Sequence, residues 1–229
     1  GERIESVLST RDFSEGKYLI FATRNGTVKK TEFQAYNTPI KADGIIAINI
    51  REGDELVAVR RTSGEDDILM VSRKGQAVRF HEDQIRPMGR DTTGVRGMDV
   101  ADDDFVLAMD VAREDQELLV VTENGYGKRT PITEYRKTNR GTKGVGTIKL
   151  TETKGNLAGA LVVREHHDLV FISTFGMVQR TSVRGISRYG RLSQGVRVMN
   201  LKPDDTVSAV ALVVENEPDE PGVQETVAT

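Results

Sequence analysis

The sequence has no cysteine and no tryptophan, only three histidines, and no apolar run long enough to cross a membrane as a helix. Without cysteine there are no disulfides, no thiol chemistry and no cysteine-ligated zinc or iron–sulfur site, which suits a reducing, cytoplasmic setting. The first 30 residues lack the apolar stretch of a secretory signal. What is present is ordinary globular material: 229 residues, 37% from the hydrophobic set, and 22 glycines. The net charge of −3 misleads, because residues 215–229 carry five acids, no base and two of the six prolines. That stretch reads as a disordered acidic tail, and residues 1–214, with 32 Lys and Arg against 30 Asp and Glu, read as the folded domain.

Self-similarity decides the fold class. Four segments align: YLIFATRNGTVKKTEF from Tyr18, DILMVSRKGQAVRF from Asp67, ELLVVTENGYGKRT from Glu117 and DLVFISTFGMVQRT from Asp168. Each is an apolar run, a turn ending in glycine, and a second run with basic residues. The turn glycines are Gly26, Gly75, Gly125 and Gly176, spaced 49, 50 and 51 apart. Asn25-Gly26 and Asn124-Gly125 are strong hairpin turns, since both residue types tolerate positive φ. A short strand is expected next (44–50, 94–100, 144–150, 195–201), then an acidic turn and another strand (56–60, 105–111, 157–163, 207–214). Residues 4–8 match that last element ahead of the first hairpin. No amphipathic helix of ten residues or more stands out. Four short strands per 50 residues predict an all-β, propeller-like array of four-stranded blades, each too small to be stable alone. A β-sandwich is the alternative. The tryptophan-bearing WD40 and kelch signatures are missing. The chain starts abruptly in a strand-like segment, as though cut from a longer array.

The charges follow the same period. Four residues after each turn glycine stands a base (Lys30, Arg79, Arg129, Arg180), and fifteen after stands another (Lys41, Arg90, Arg140, Arg191). More bases cluster around these columns. Residues 128–143 hold six against one acid, and residues 179–197 hold five and no acid. Equivalent positions of successive blades lie on one side of the array, so the columns predict a basic stripe, with the acidic turns 51–55, 63–67, 101–105, 113–117 and 202–205 as another rim. A stripe of Arg and Lys among glycines suits a phosphate backbone. The candidate set is Lys29, Lys30, Lys41, Arg79, Arg86, Arg90, Arg96, Lys128, Arg129, Arg136, Lys137, Arg140, Lys143, Arg180, Arg184, Arg188, Arg191 and Arg197. Few aromatics accompany it (Tyr36, Tyr126, Tyr135 and Tyr189), fewer than single-strand stacking wants, and these are expected to pack rather than stack. No recognition helix or finger is present. The layout therefore predicts weakly selective binding of duplex DNA through its backbone, with bending.

Other motifs carry less. Residues 125–130 (GYGKRT) fail the phosphate-loop pattern and precede a strand. Asp102-Asp103-Asp104 reads as a solvated turn. His166 and His167 are adjacent and face apart in an extended segment, and His81 stands alone, so neither a metal site nor a triad is expected. No catalytic residue is nominated.

The strings RPMGRDTTGVRGM (86–98), ELLVVTENGYGKRTPITEYRKTNRGTKGV (117–145), DGIIAINIREGDELVAV (43–59) and GVRVMNL (195–201) resemble the C-terminal domain of the DNA gyrase A subunit, over essentially residues 3–214. The resemblance implies a β-pinwheel, whose blades exchange strands with their neighbours. It also implies duplex DNA wrapped on a basic perimeter in support of ATP-dependent negative supercoiling. Implied partners are duplex DNA, the gyrase A cleavage core and gyrase B; a nucleoid-associated cytoplasmic place is implied, and no membrane. The isolated domain is expected to be monomeric. No cofactor is expected in this segment, because the family's ATP and magnesium act in other domains. The family has more blades than the four repeats here, and its heptapeptide Gln-Arg-Arg-Gly-Gly-Lys-Gly is missing. Residues 138–144 keep only Arg140, Gly141, Lys143 and Gly144 of it, so the segment is expected to start downstream of that box. Alternatives are the topoisomerase IV homologue, a protein-docking propeller, and a propeller enzyme with its site on the axis.

Overall fold

The computed structural model describes residues 4–213 and the pair Val227–Ala228. Its strands, in chain order, are β1 (Tyr18–Thr23), β2 (Thr27–Glu32), β3 (Leu56–Thr62), β4 (Asp67–Ser72), β5 (Gln76–His81), β6 (Val95–Arg96), β7 (Val106–Ala112) and β8 (Glu117–Thr122). There follow β9 (Tyr126–Pro131), β10 (Val145–Gly146), β11 (Leu157–Val163), β12 (Asp168–Ser173), β13 (Val178–Ser182), β14 (Val196–Arg197), β15 (Val207–Val213) and β16 (Val227–Ala228). They form four four-stranded sheets, with orders β3-β1-β2-β6, β10-β5-β4-β7, β11-β8-β9-β14 and β13-β12-β15-β16. Among the described residues the helical segments are four 3-10 turns of three or four residues, each directly after the second hairpin strand.

The expected blades are present, but their fourth strands are not where the repeat count puts them. The outer edge of blade one is closed by β6, from the second repeat, in the register Thr27↔Arg96 and Val28↔Val95. Blade two is closed by β10 of the third repeat and blade three by β14 of the fourth. Only two residues of each expected short strand pair, because the loop touches the blade edge briefly before crossing to the next inner strand. The corresponding segment of the first repeat, 44–50, forms no strand, and neither does 4–8. Blade four takes its fourth strand on the opposite, inner side, where β16 pairs with β15. The remainder of the acidic tail expected over 215–229 lies outside the described residues.

The apolar runs look continuous because blades bury both faces. On β4, Ile68 and Met70 join Ile20, Val28 and Met98 in a core between blades one and two. The intervening Leu69 and Val71 point the other way, into a core with Leu118, Val120, Ile148 and Leu157 between blades two and three. Leu119 and Val121 repeat the move toward Leu169, Phe171 and Met199 of blade four. Leu19 and Phe21 of blade one face Leu8, Phe13, Phe33 and Tyr36 instead. At the inner strands Asp110 on β7 accepts from Arg60 Nε of β3 at 3.2 Å and from the Val162 N–H of β11 at 3.2 Å.

The joint between blades one and two buries charge. Lys30 and Glu82 are 4% and 0% exposed, with Nζ and Oε1 3.8 Å apart. Burial raises the Glu82 pKa above the usual carboxylate range. Lys30→Met strands that carboxylate and is expected to cost about 3–5 kcal/mol, whereas Lys30→Met with Glu82→Leu recovers most of the loss. Urea denaturation followed by circular dichroism checks both; a single variant as stable as the parent would contradict the coupling.

Candidate nucleic-acid interface

The basic residues split into two populations. The first is internal. Lys29, Lys30, Arg79, Lys128 and Arg129 are all less than 10% exposed, so they are structural cations, not members of a surface stripe. Arg79 pairs with Asp67 at 2.7 Å and Arg129 with Glu117 at 2.7 Å, each carboxylate lying on the partner strand of the same hairpin. Their remaining donors reach the next repeat: Arg79 Nη1 donates to the Ile132 and Tyr135 carbonyls, and Arg129 Nε to that of Ile186. Repeat one has Tyr18 where the others have an acid. There Lys30 lies over the Tyr18 ring, 4.2 Å from its centre, and donates to the Glu82 carbonyl at 3.2 Å. Arg180 has the same pairing, to Asp168 at 2.7 Å, but is 54% exposed.

Lys29 and Lys128 also act within the joints. Lys29 Nζ donates to the carbonyls of Ala47 and Arg90, both at 2.5 Å, and Lys128 Nζ to those of Gly190 and Arg191 at 2.6 and 2.7 Å. Each ammonium therefore ties the incoming loop of the next repeat to its own blade.

The second population rides on those incoming loops, which cross the outer edges as a continuous band. Successive loops are linked by equivalent hydrogen bonds: Asn49 N–H to the Thr92 carbonyl, Asp99 to Thr142, and Lys149 to Ser193. Arg90, Arg140 and Arg191 staple the same boundary, their Nη1 donating to the carbonyls of Ile46, Arg96 and Gly146 at 3.2, 2.9 and 2.9 Å. These three are half-buried and fixed in orientation. Lys41 does not belong with them. The first loop is one residue shorter, and measured from the loop glycines Gly44, Gly94, Gly144 and Gly195 the equivalent position is Ile40. Lys41 is exposed, away from any such staple.

Arg86, Arg96, Arg136, Lys137, Lys143, Arg184, Arg188 and Arg197 are exposed on this band. Lys137 shares Asp67 with Arg79, and Arg188 shares Glu117 with Arg129. Arg197 donates to the Tyr126 hydroxyl at 2.7 Å and stacks on its ring, which Lys154 also faces. Among the described residues Arg86, Arg136, Lys143 and Arg184 make no ion pair, and they are the cations most available to an outside anion. Lys149, exposed on the same band, was not foreseen by the column count.

The acidic turns do not form one separate rim. Asp54, Asp104 and Asp205 do sit at the hairpin-turn end, accepting from the N–H groups of Asn25, Lys74 and Phe175. The other acidic turns lie beside the bases: Asp67, Glu114 and Glu117 are the partners of Arg79 and Arg129. The tyrosines divide too. Tyr135 is buried against Thr147 and pushed up to about 12 by burial, and the Tyr36 hydroxyl donates to the Ala47 carbonyl at 2.9 Å. Tyr189 is 41% exposed on the band. Among the described residues no helix is long and apolar enough to cross a membrane, and no group of three metal-ligating side chains comes together.

The comparisons with known proteins agree with this architecture. A family described as DNA gyrase C-terminal domain, beta-propeller, matches residues 17–63, 66–113, 116–164 and 167–213, one match per repeat. The chain belongs to that family. It is 44% identical over 212 residues to the DNA gyrase A subunit of Mycolicibacterium smegmatis (strain ATCC 700084 / mc(2)155), covering 92% of this chain and 25% of the relative. It is 43% identical over 222 residues to the DNA gyrase A subunit of Staphylococcus aureus (strain NCTC 8325 / PS 47), covering 96% and 25%. The chain thus spans a quarter of the length of these curated relatives. Among solved structures it resembles a DNA gyrase A C-terminal domain, with a TM-score of 0.80 and 25% identity over 90% of this chain and 68% of that one. It also resembles a C-terminal domain of DNA topoisomerase IV, with a TM-score of 0.82 and 26% identity over 89% and 64%. Shape alone does not separate the two; these sequence relatives are gyrase A subunits.

Burial pushes Lys29 and Lys128 from an ordinary pKa of 10.5 down to about 8. From pH 8 to 10.5 the folded chain therefore holds fewer protons at these sites than the unfolded chain. Their contribution to stability rises with pH across that window and is lost as pH falls through 8. NMR titration of the lysine side chains should find two midpoints near pH 8; midpoints near 10.5 for both would contradict their place in the joints.

Proposed function

We propose that this chain binds duplex DNA along the loop band and bends or wraps it there, as the C-terminal domain of a DNA gyrase A protein. The observation that carries this is the band itself, where exposed Arg86, Arg136, Lys143 and Arg184, unpaired among the described residues, recur on consecutive loops. Phosphates are recognised by charge-assisted contacts to such groups, and the half-buried Arg90, Arg140 and Arg191 are already oriented by backbone carbonyls, so little ordering cost remains. With no element among the described residues shaped to enter a groove, readout rests on the backbone and on the ease of bending. In a gyrase holoenzyme such a wrap would present a DNA crossing to the gyrase A cleavage core, with gyrase B supplying ATP hydrolysis. Strand cleavage, its magnesium and the nucleotide then belong to those other domains. The setting is the bacterial cytoplasm, at the nucleoid.

Binding should weaken linearly in log–log salt plots, by about 0.9 per phosphate neutralised. The triple variant Arg86→Glu/Arg136→Glu/Arg184→Glu changes only exposed side chains. It is expected to keep the parent's circular dichroism while its salt slope flattens by about three. Anisotropy titrations of a labelled duplex between 50 and 200 mM salt check this. Equal affinity in a folded triple variant would make the band a protein-docking surface instead.

A further inference from the structure

At the hairpin-turn end, a turn leads into each inner strand, and three of these turns are capped by their own aspartate. Asp54, Asp104 and Asp205 stand two residues before β3, β7 and β15, each accepting from the N–H of the residue that follows it. The turn before β11, residues 151–155, has Gly155 at that place. Its cap, on the Asn156 N–H, comes from Glu123 of the hairpin, whose charge is matched by Arg73 at 2.6 Å. One residue earlier, where the turns of blades two and four carry exposed Asp103 and Asp204, this turn carries Lys154. The acidic end is thus interrupted at blade three, between turns 101–105 and 202–205.

The interruption is next to a second cation. Lys154 Nζ and the Arg197 guanidinium of β14 each lie 4.8 Å from the centre of the Tyr126 ring. Lys154 is held by the Gln194 carbonyl at 3.2 Å, and Arg197 by the Tyr126 hydroxyl at 2.7 Å. That hydroxyl accepts from Arg197, so its own hydrogen is left to donate. Among the described residues neither cation makes an ion pair, with Glu152 of the same turn or with any other acid. Blades one and two have no counterpart. The pair equivalent to Tyr126 and Arg197 is Thr27 with Arg96 in blade one, where Arg96 has Asp99 at 3.7 Å, and Gln76 with Gly146 in blade two. Two cations on one ring repel each other, and an anion that accepts from both removes the repulsion.

We propose that Arg197, Lys154 and the Tyr126 hydroxyl form a phosphodiester site, and that the duplex leaves the loop band there, crossing the hairpin-turn end through the gap in its acids. The site rests on the reading that the band binds duplex, and adds the direction in which the path departs. Arg197 stands on the band and Lys154 on the turn, so one phosphate group accepting from both ties the two surfaces together. Tyr126 is the positioning residue that holds the two cations side by side.

The chain has no cysteine, so one introduced thiol can carry an iron–EDTA label that cuts nearby DNA. Three exposed positions decide the matter: Asn139→Cys on the band, Thr153→Cys in the turn of blade three, and Asp102→Cys at the equivalent place in blade two. With duplex bound, labels at 139 and 153 should cut and the label at 102 should not. Lys154→Met, added to Thr153→Cys, should remove most of the cutting from 153, keep the circular dichroism, and flatten the salt slope by about 0.9 at most, one phosphate. Cutting from 139 alone would leave the band reading standing and overturn the passage at blade three. Equal cutting from 153 and 102 would spread the duplex over the whole hairpin-turn end and overturn it as well. Undiminished cutting after Lys154→Met would overturn the phosphodiester site. No cutting from 139 would remove the band reading and this site with it.

Discussion

Every blade of this chain up to the third is finished by its successor. A hairpin and an inner strand leave an outer edge with unpaired N–H and C=O groups, which a protein must cover. Here the next repeat covers it with two residues of its return loop, and the rest of the architecture follows. The loop must run along the outside, so it forms the perimeter. It must approach the edge closely, so it needs glycine at its first contact. It must be held against solvent, so the edge strands carry buried cations aimed at its carbonyls. Lys29, Lys128, Arg79 and Arg129 serve that purpose.

Burying those cations is tolerable only because each has partners. Arg79 has a carboxylate diagonally across its own hairpin and two carbonyls from the next repeat, so its desolvation is offset within the joint. Repeat one keeps the cation and replaces the acid by Tyr18; the acid reappears across the joint as Glu82, at a position where the other repeats have Phe33, Ile132 and Val183. The cation of this column thus keeps one carboxylate partner in each repeat, within its own hairpin or across the joint. The perimeter inherits this arrangement: its loops are pinned from beneath, and their exposed cations face outward on a fixed backbone.

Much of this was legible in the residues. The hairpins, their glycines and the repeat length came directly from the spacing, and the blade class followed. The destination of the short strands did not, since a repeat read in isolation pairs with itself, and only the family resemblance pointed to exchange. The column four residues past the turn was real, but it marked an ion pair, buried at Lys30, Arg79 and Arg129 and exposed only at Arg180. A signal for that existed: Asp67, Glu117 and Asp168 open the same aligned segments, twelve residues before the base, which is cross-strand distance in a two-residue hairpin. The column at fifteen was real for Arg90, Arg140 and Arg191 and spurious for Lys41, because counting from the hairpin glycine ignores a one-residue deletion that counting from Gly44 exposes. The division of bases into buried and outward-facing depends on three-dimensional crossings that no single-repeat pattern encodes.

The central claim is that duplex DNA follows the loop band and not the hairpin-turn end with its acidic turns. Amide hydrogen exchange measured with and without a duplex at low salt tests it most directly. The account predicts slowed exchange in residues 84–97, 134–147 and 184–197, with 51–55 and 101–105 unchanged. Protection confined to those acidic turns, or none anywhere at saturating duplex, would contradict it.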